Sequence, residues 1–409
     1  MTVDQVRRVF VTLTAMRWLP TGLTVPALVL IGQARGLSLS QIGMTTAIYG
    51  TTALALELPT GGLSDVIGRR PVLVAAGVLS IATAVVTASG TSFGVLAGAA
   101  ALRGGARALD SGPLQSWFVE RTLAIDPTAS FRTGLARASA GESIALALGT
   151  LAAGGLLTAS PLPADDAPFI ALSTPFLVSA AVSCVQVGLV VAWVREPRLA
   201  AQLTVRDVLA GVPRTIAGGA RLAATHPTLR RLLLVTASVG AALASIELLT
   251  PPHLAVVMGS DAAGAQTYAV LAALGFLGSA GGAALAPAAA RALRRPSRVP
   301  LVGALGGAVA LGATGAQTLG PLAGAYVAFY VLLGMGAPLL DELTHQSVSS
   351  RERATMLSVG SMALQGAGVL AALAFGSLAD HVSPGIALLA PATVLALGTL
   401  ALVRMPSRR

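Results

Sequence analysis

The sequence predicts an all-α polytopic membrane protein with about twelve transmembrane helices in two six-helix halves. Three observations lead there. Only 11% of the 409 residues are charged and 54% are hydrophobic, with a mean hydropathy of +0.78. A soluble globular protein carries about a quarter charged residues, so this chain has too little charge to cover a water-facing surface. The apolar residues come in runs long enough for a spanning helix, which needs about 20 residues. The basic residues, finally, are confined to alternate connections between those runs.

Reading apolar segments between charged or Pro/Gly-rich breaks gives spans near 9–34, 41–64, 71–90, 92–118, 136–158 and 169–194 in the first half. In the second half they fall near 231–256, 264–289, 299–317, 320–341, 354–379 and 385–403. Pro20, Pro26 and Arg17 interrupt the first segment and no small-residue cleavage site follows it, so no cleavable signal peptide is expected. With the N-terminus inside, the connections at 65–70, 119–135, 195–230, 290–298 and 342–353 are cytoplasmic, as are both termini. Those regions and the span ends beside them hold 23 of the 27 arginines, whereas the opposite side has only Arg35. Basic residues resist translocation, so this asymmetry sets the topology.

The net charge of +10 does not point to nucleic acid, because it follows the loops and every basic residue is arginine. The single cysteine, Cys184, lies in an apolar run and excludes a disulfide within one chain. His226, His253, His345 and His381 are scattered without ligand spacing, so no metal site and no cofactor is expected.

The longest connection, 195–230, divides the chain into an N-terminal half (1–194) and a C-terminal half (231–409). Its apolar residues alternate with basic ones, and Pro213 weakens any helix, which favours a cytoplasmic linker over an interfacial helix. The halves also look related. An offset of 221 residues maps Gly61 onto Gly282, Glu120 onto Asp341 and Arg132 onto Arg353. Parallel repeats of this kind place a binding site near the bilayer midplane between them, and rocking of the halves gives alternating access.

One stretch stands out, ELPTGGLSDVIGRRPVL at Glu57–Leu73, between the second and third spans. Its segment Gly61 to Arg70 resembles the signature of the major facilitator superfamily, glycine-x-leucine-alanine-aspartate-arginine-x-glycine-arginine-arginine, and sits where that family carries it. The resemblance covers the whole chain and implies the major facilitator fold, two six-helix halves around a central cavity. It also implies a conformational latch. Gly61 lets the second span approach a neighbour closely, and Gly68 permits the tight turn. Asp65 would face the N-terminus of the eleventh span, near Ala354–Met356, where an anion is stabilised. Arg69, beside Arg70, would pair with Glu120 at the end of the fourth span. Val66 replaces the family's usual arginine, and Ala286 stands where Asp65 maps in the second half. Two further stretches resemble drug-efflux members, ELPTG and RATMLSVGSM (Arg353–Met362). The fifth span carries Gly141, Gly149, Gly154 and Gly155; it resembles the antiporter motif of exporters without its proline, and close packing against the first span explains it equally well.

Charged residues at membrane depth are costly and mark function. Seven are expected there: Arg17, Glu57, Arg103, Arg107, Asp110, Glu142 and Glu247. Arg103, Arg107 and Asp110 share one face of the fourth span. A carboxyl in a dry cavity titrates nearer physiological pH, which suits a proton carrier; Glu57 leads, then Asp110. Arg107 is expected to pair with Asp110 or Glu57, and Arg17 to attract an anionic substrate or balance an acid. Glu142 falls towards the cytoplasmic edge, and Glu247, towards the outside, would line an outer vestibule or bind a cationic substrate.

The expected function is therefore proton-coupled secondary transport in the cytoplasmic membrane of a bacterium, by a monomer whose partners are a small-molecule substrate, protons and lipid. Export of a hydrophobic molecule such as a drug is favoured. A symporter importing a sugar or other metabolite is the alternative, disfavoured by an aromatic content of 4% and few amides. No phosphate-binding loop supports ATP drive, and the adjacent Asp341 and Glu342, matched to Glu120, suit a latch better than an embedded enzyme.

Overall fold

The computed structural model describes residues 1–163, 167–196, 221, 225–293, 298–347 and 353–403. These form helices α1 (Val3–Thr24), α2 (Leu28–Ala34), α3 (Leu39–Ile67), α4 (Arg69–Ser89), α5 (Phe93–Leu109), α6 (Pro113–Ile125), α7 (Arg132–Thr158) and α8 (Thr174–Trp193). After the linker come α9 (Pro227–Met258), α10 (Asp261–Ala292), α11 (Arg298–Ala313), α12 (Leu319–Gln346), α13 (Arg353–His381), α14 (Pro384–Ala387) and α15 (Leu389–Thr399). No strand occurs among the described residues.

Every expected span coincides with helix. Among the described residues, nine helices are long and apolar enough to cross a membrane. The second, fourth and ninth spans fall outside that group for local reasons. Over its first 18 residues helix α3 is diluted by Ser40, Gln41 and four threonines, and the fourth span is broken into α5 and α6. Helix α11 has only 16 residues. The breaks follow the sequence. Gly112 takes a φ of 103°, a left-handed value that favours glycine, and Pro113 opens α6 at a position where its missing N–H costs nothing. Gly68, with φ of 94°, turns α3 into α4.

The chain forms two compact units, one of residues 1–35 and 51–212, the other of 36–50 and 213–409. Most of the expected linker, 197–220 and 222–224, lies outside the described residues.

In the first unit α1 packs along α7 and α8, and α4 along α5 and α8. Its core holds Val6, Phe10, Leu13, Trp117 and Phe118, with the rings of Phe10 and Phe118 stacked 4.3 Å apart. Helices α1 and α7 meet at Gly22 and Gly149 without a side chain between them. A Cβ on Gly149 would lie 2.7 Å from the Leu19 carbonyl oxygen and 2.9 Å from the Cα of Gly22. Small residues of this kind let helix backbones touch where lipid supplies no hydrophobic drive for association.

In the second unit α9 packs against α13, and α12 against α10 and α11. Asp380, near the end of α13, accepts the backbone N–H groups of Leu39 and Ser40, both at 2.9 Å. That caps the first turn of α3, where unpaired N–H groups and the helix dipole favour an anion.

Candidate functional site

In the first unit, five residues from three of the expected spans form a charged cluster. Helix α1 supplies Arg17 and Trp18, α5 and its C-terminal cap supply Arg107 and Asp110, and α7 supplies Glu142. Arg17 donates from Nε to the Asp110 carboxylate, and both side chains are less than a fifth exposed. The guanidinium carbons of Arg17 and Arg107 lie 5.2 and 5.7 Å from the centroid of the Trp18 ring. The positive charges of both arginines act on Asp110 and on Glu142.

This arrangement corrects two expectations. The partner of Asp110 is Arg17, on another helix, and Arg107 lies against an indole. Residues three apart on one helix can meet, but spacing along α5 does not reveal which neighbouring helix offers a closer cation. Glu142 lies within the field of both cluster arginines. Glu57 is half-buried on α3, and Thr60 one turn further donates to the Ala108 carbonyl at 2.9 Å, tying α3 to the end of α5. Arg103 is also half-buried, one turn before Arg107.

A second arrangement surrounds the turn at Gly68. Arg69 is 6% exposed and pairs through its guanidinium with Glu120 of α6. The backbone N–H groups of Arg69 and Arg70 donate to the two carboxylate oxygens of Glu196, at 3.0 and 3.1 Å. Arg69 Nη1 also lies 3.7 Å from Glu196. Arg70 donates to the Val191 carbonyl at 2.6 Å, and the Trp117 indole to that of Arg195 at 3.4 Å. The start of α4 is thus held by α6 and by the chain leaving α8. A carboxylate at a helix N-terminus satisfies unpaired donors and meets the positive end of the dipole. Glu196→Ala should therefore cost about 0.5–2 kcal/mol, the usual range for losing a cap. Amide hydrogen exchange at Arg69 and Arg70 should rise by a factor of about 2 to 30, and unchanged exchange would mean that Glu196 caps nothing.

In the second unit, Glu247 of α9 is exposed, and its charge acts on Tyr268 of α10 and on Tyr326 and Tyr330 of α12. The Tyr326 ring lies between those of Tyr268 and Tyr330. Adjacent rings lie 6.1 and 5.1 Å apart, and Phe276 and Phe329 pack edge-on around Tyr330. Three of the four tyrosines in the chain are gathered here.

The sequence model described as the Major Facilitator Superfamily matches residues 10–371. The chain belongs to that superfamily. Its fold is similar to solved transporter structures. The nucleoside transporter NupG superposes with a TM-score of 0.77 at 13% identity, covering 98% of this chain and 100% of that one. An inward-facing, unoccupied bacterial homolog of the human lysosomal transporter Spinster gives 0.72 at 19% identity, covering 98% and 93%. At such identities the likeness shows the fold alone. Comparison with curated protein sequences finds no match.

This superfamily member is a multi-pass membrane transporter; its family and structural neighbours are transporters rather than enzymes. Of the superfamily's signature loop, the structure describes Gly68, Arg69 and Arg70, with Arg69 paired to Glu120 of α6. Gly61 and the side chains of Asp65 and residues 353–355 lie outside what the structure describes, so the expected approach of Asp65 to the eleventh span does too. Two residues escaped the sequence reading. Trp18 adjoins a charged residue in an apolar span, a pattern that signals an aromatic beside a cation. Glu196 is the one acid in the stretch VREPR, and it was grouped with the linker. The Tyr326–Tyr330 spacing of four was a third available signal, since it sets both rings on one face of a helix.

Proposed function

We propose that this protein is a proton-coupled secondary transporter of the bacterial cytoplasmic membrane, with both termini cytoplasmic, working by alternating access. The carrying observation is the cluster of Arg17, Arg107, Asp110 and Glu142, two cations and two carboxylates at membrane depth. Ionisable groups there are expensive and are kept for transport or proton relay. The formal charges balance. Adding a proton to either carboxylate unbalances them, and a change in what the cavity holds or in which side is open relieves the imbalance. Glu57, Asp110 and Glu142 are the proton-handling acids; Glu57 lies one turn before Thr60, which ties α3 to the end of α5. Asp65, Arg69, Arg70, Glu120 and Glu196 form a latch that holds one of the two states.

The drug-efflux character of ELPTG and RATMLSVGSM, with the scarcity of amides, supports proton antiport that exports a hydrophobic molecule. A second reading, proton symport importing a metabolite, is favoured by the charge balance. Any negative group entering the cluster makes protonation of Glu142 easier, so the two would travel together. NupG, described as a nucleoside transporter, makes nucleosides a fair probe of this mode.

The test uses cells loaded with Nile red for efflux and radiolabelled uridine for uptake, with and without an uncoupler. Coupled transport should collapse with the uncoupler, and Glu142→Gln or Glu57→Gln should lower the coupled rate at least tenfold. Outward dye flux supports export, and inward accumulation supports symport. Uncoupler-sensitive flux that is unchanged in both variants would overturn the assignment of the proton site.

A further inference from the structure

Arg17 and Arg107 lie against the same indole, yet they are differently engaged. Arg17 is mostly buried and donates to Asp110. Arg107 is exposed, and among the described residues no ion pair involves it; its partner is the face of Trp18. At 5.7 Å the ring attracts the guanidinium without accepting a hydrogen bond from it, so its N–H groups remain available. Those N–H groups form a fork that matches a carboxylate bidentately. The last turn of α5 favours a cation there through the helix dipole, which accounts for the position of Arg107 but leaves its donors unused.

We propose that Arg107, backed by Trp18, is the receptor for an anionic group, a carboxylate above all, on the transported molecule. The proposal rests on reading this cluster as the transport site, in the symport form, and adds the substrate's charge. Asp110 attracts Arg107 but makes no direct ion pair with it, because its carboxylate is held by Arg17. The other charged groups of the cluster are Arg17 on α1 and Glu142 on α7, and both arginines act on Glu142. In the empty state Glu142 supplies the negative charge that offsets Arg107. A substrate carboxylate takes over that part, and a proton on Glu142 then restores the balance. The anion and the proton therefore bind together. Trp18 also offers an apolar edge beside the anion, so the class best suited is a small organic acid with an apolar or aromatic body.

The purified full-length protein tests this by ligand-dependent shifts in thermal unfolding, since a ligand that binds only the folded state raises Tm. The probes are matched carboxylate and carboxamide pairs, benzoate with benzamide and 1-naphthoate with 1-naphthamide. Each carboxylate should bind at least tenfold more tightly than its amide, and more tightly at pH 6 than at pH 8. Arg107→Gln should erase the preference within each pair. Arg107→Lys, which keeps the charge but loses the fork, should retain only a small part of it. No preference in any pair, or a preference that survives Arg107→Gln, would overturn the proposal. Because no proton gradient is present, carboxylate binding combined with uncoupler-insensitive flux would instead refute the coupling reading and leave the anion site standing.

Discussion

Replacing one partner of the Arg17–Asp110 pair, by Arg17→Gln or Asp110→Asn, is expected to abolish transport and sharply lower thermal stability. Both side chains are less than a fifth exposed, and they come from different spans. Removing one partner leaves the other charge buried without compensation, a loss of about 3–5 kcal/mol in comparable buried pairs. The double variant Arg17→Gln/Asp110→Asn separates structure from function. It buries no lone charge, so most of the stability should return, because contacting residues are not additive. Transport should not return, since the carboxylate and its counter-charge are both gone. Thermal unfolding and flux measured on all three variants check this. Single variants as stable as the unaltered protein would show that the pair holds nothing together.

The second large effect lies where α1 and α7 touch. Gly149→Val should prevent accumulation of folded protein. Overpacking an ordinary core costs about 1–3 kcal/mol, because side chains can shift. Here the obstacle is backbone on the facing helix: a Cβ would meet the Leu19 carbonyl oxygen at 2.7 Å and the Gly22 Cα at 2.9 Å. Gly22→Val should behave alike, since its Cβ would lie 2.6 Å from the Leu146 carbonyl oxygen. Gly155 on the same helix is the control, with nothing within 4 Å of its Cβ, so Gly155→Val should be tolerated. Size-exclusion profiles of the extracted variants give the answer. Equal profiles for Gly149→Val and Gly155→Val would mean the helices part at little cost.

The glycines of the fifth span show how sequence legibility ends. Gly141, Gly149, Gly154 and Gly155 look equivalent in the sequence, as either an exporter motif or a packing face. Gly149 is pressed against backbone, whereas Gly141 would meet only ordinary contacts and Gly155 none within 4 Å. Arg69 and Glu120 were legible because a signature with fixed spacing placed them. Glu196 completes the same arrangement from 127 residues away, and nothing local in the chain announces that distance.

By itself the sequence determined the class of the molecule and its spans. Hydropathy is a property of consecutive residues, and a helix crossing lipid must satisfy its own backbone, so both can be read locally. It also determined which residues would be costly in lipid, since a charge in an apolar run is visible without a fold. Which charges meet was decided only by the tertiary structure. Arg17 chose Asp110, Arg107 chose Trp18, and Glu142 joined them, because electrostatic and stacking energies depend on distances between helices. Those distances are set by where small residues such as Gly22 and Gly149 let backbones approach, and no period along a single helix contains that information.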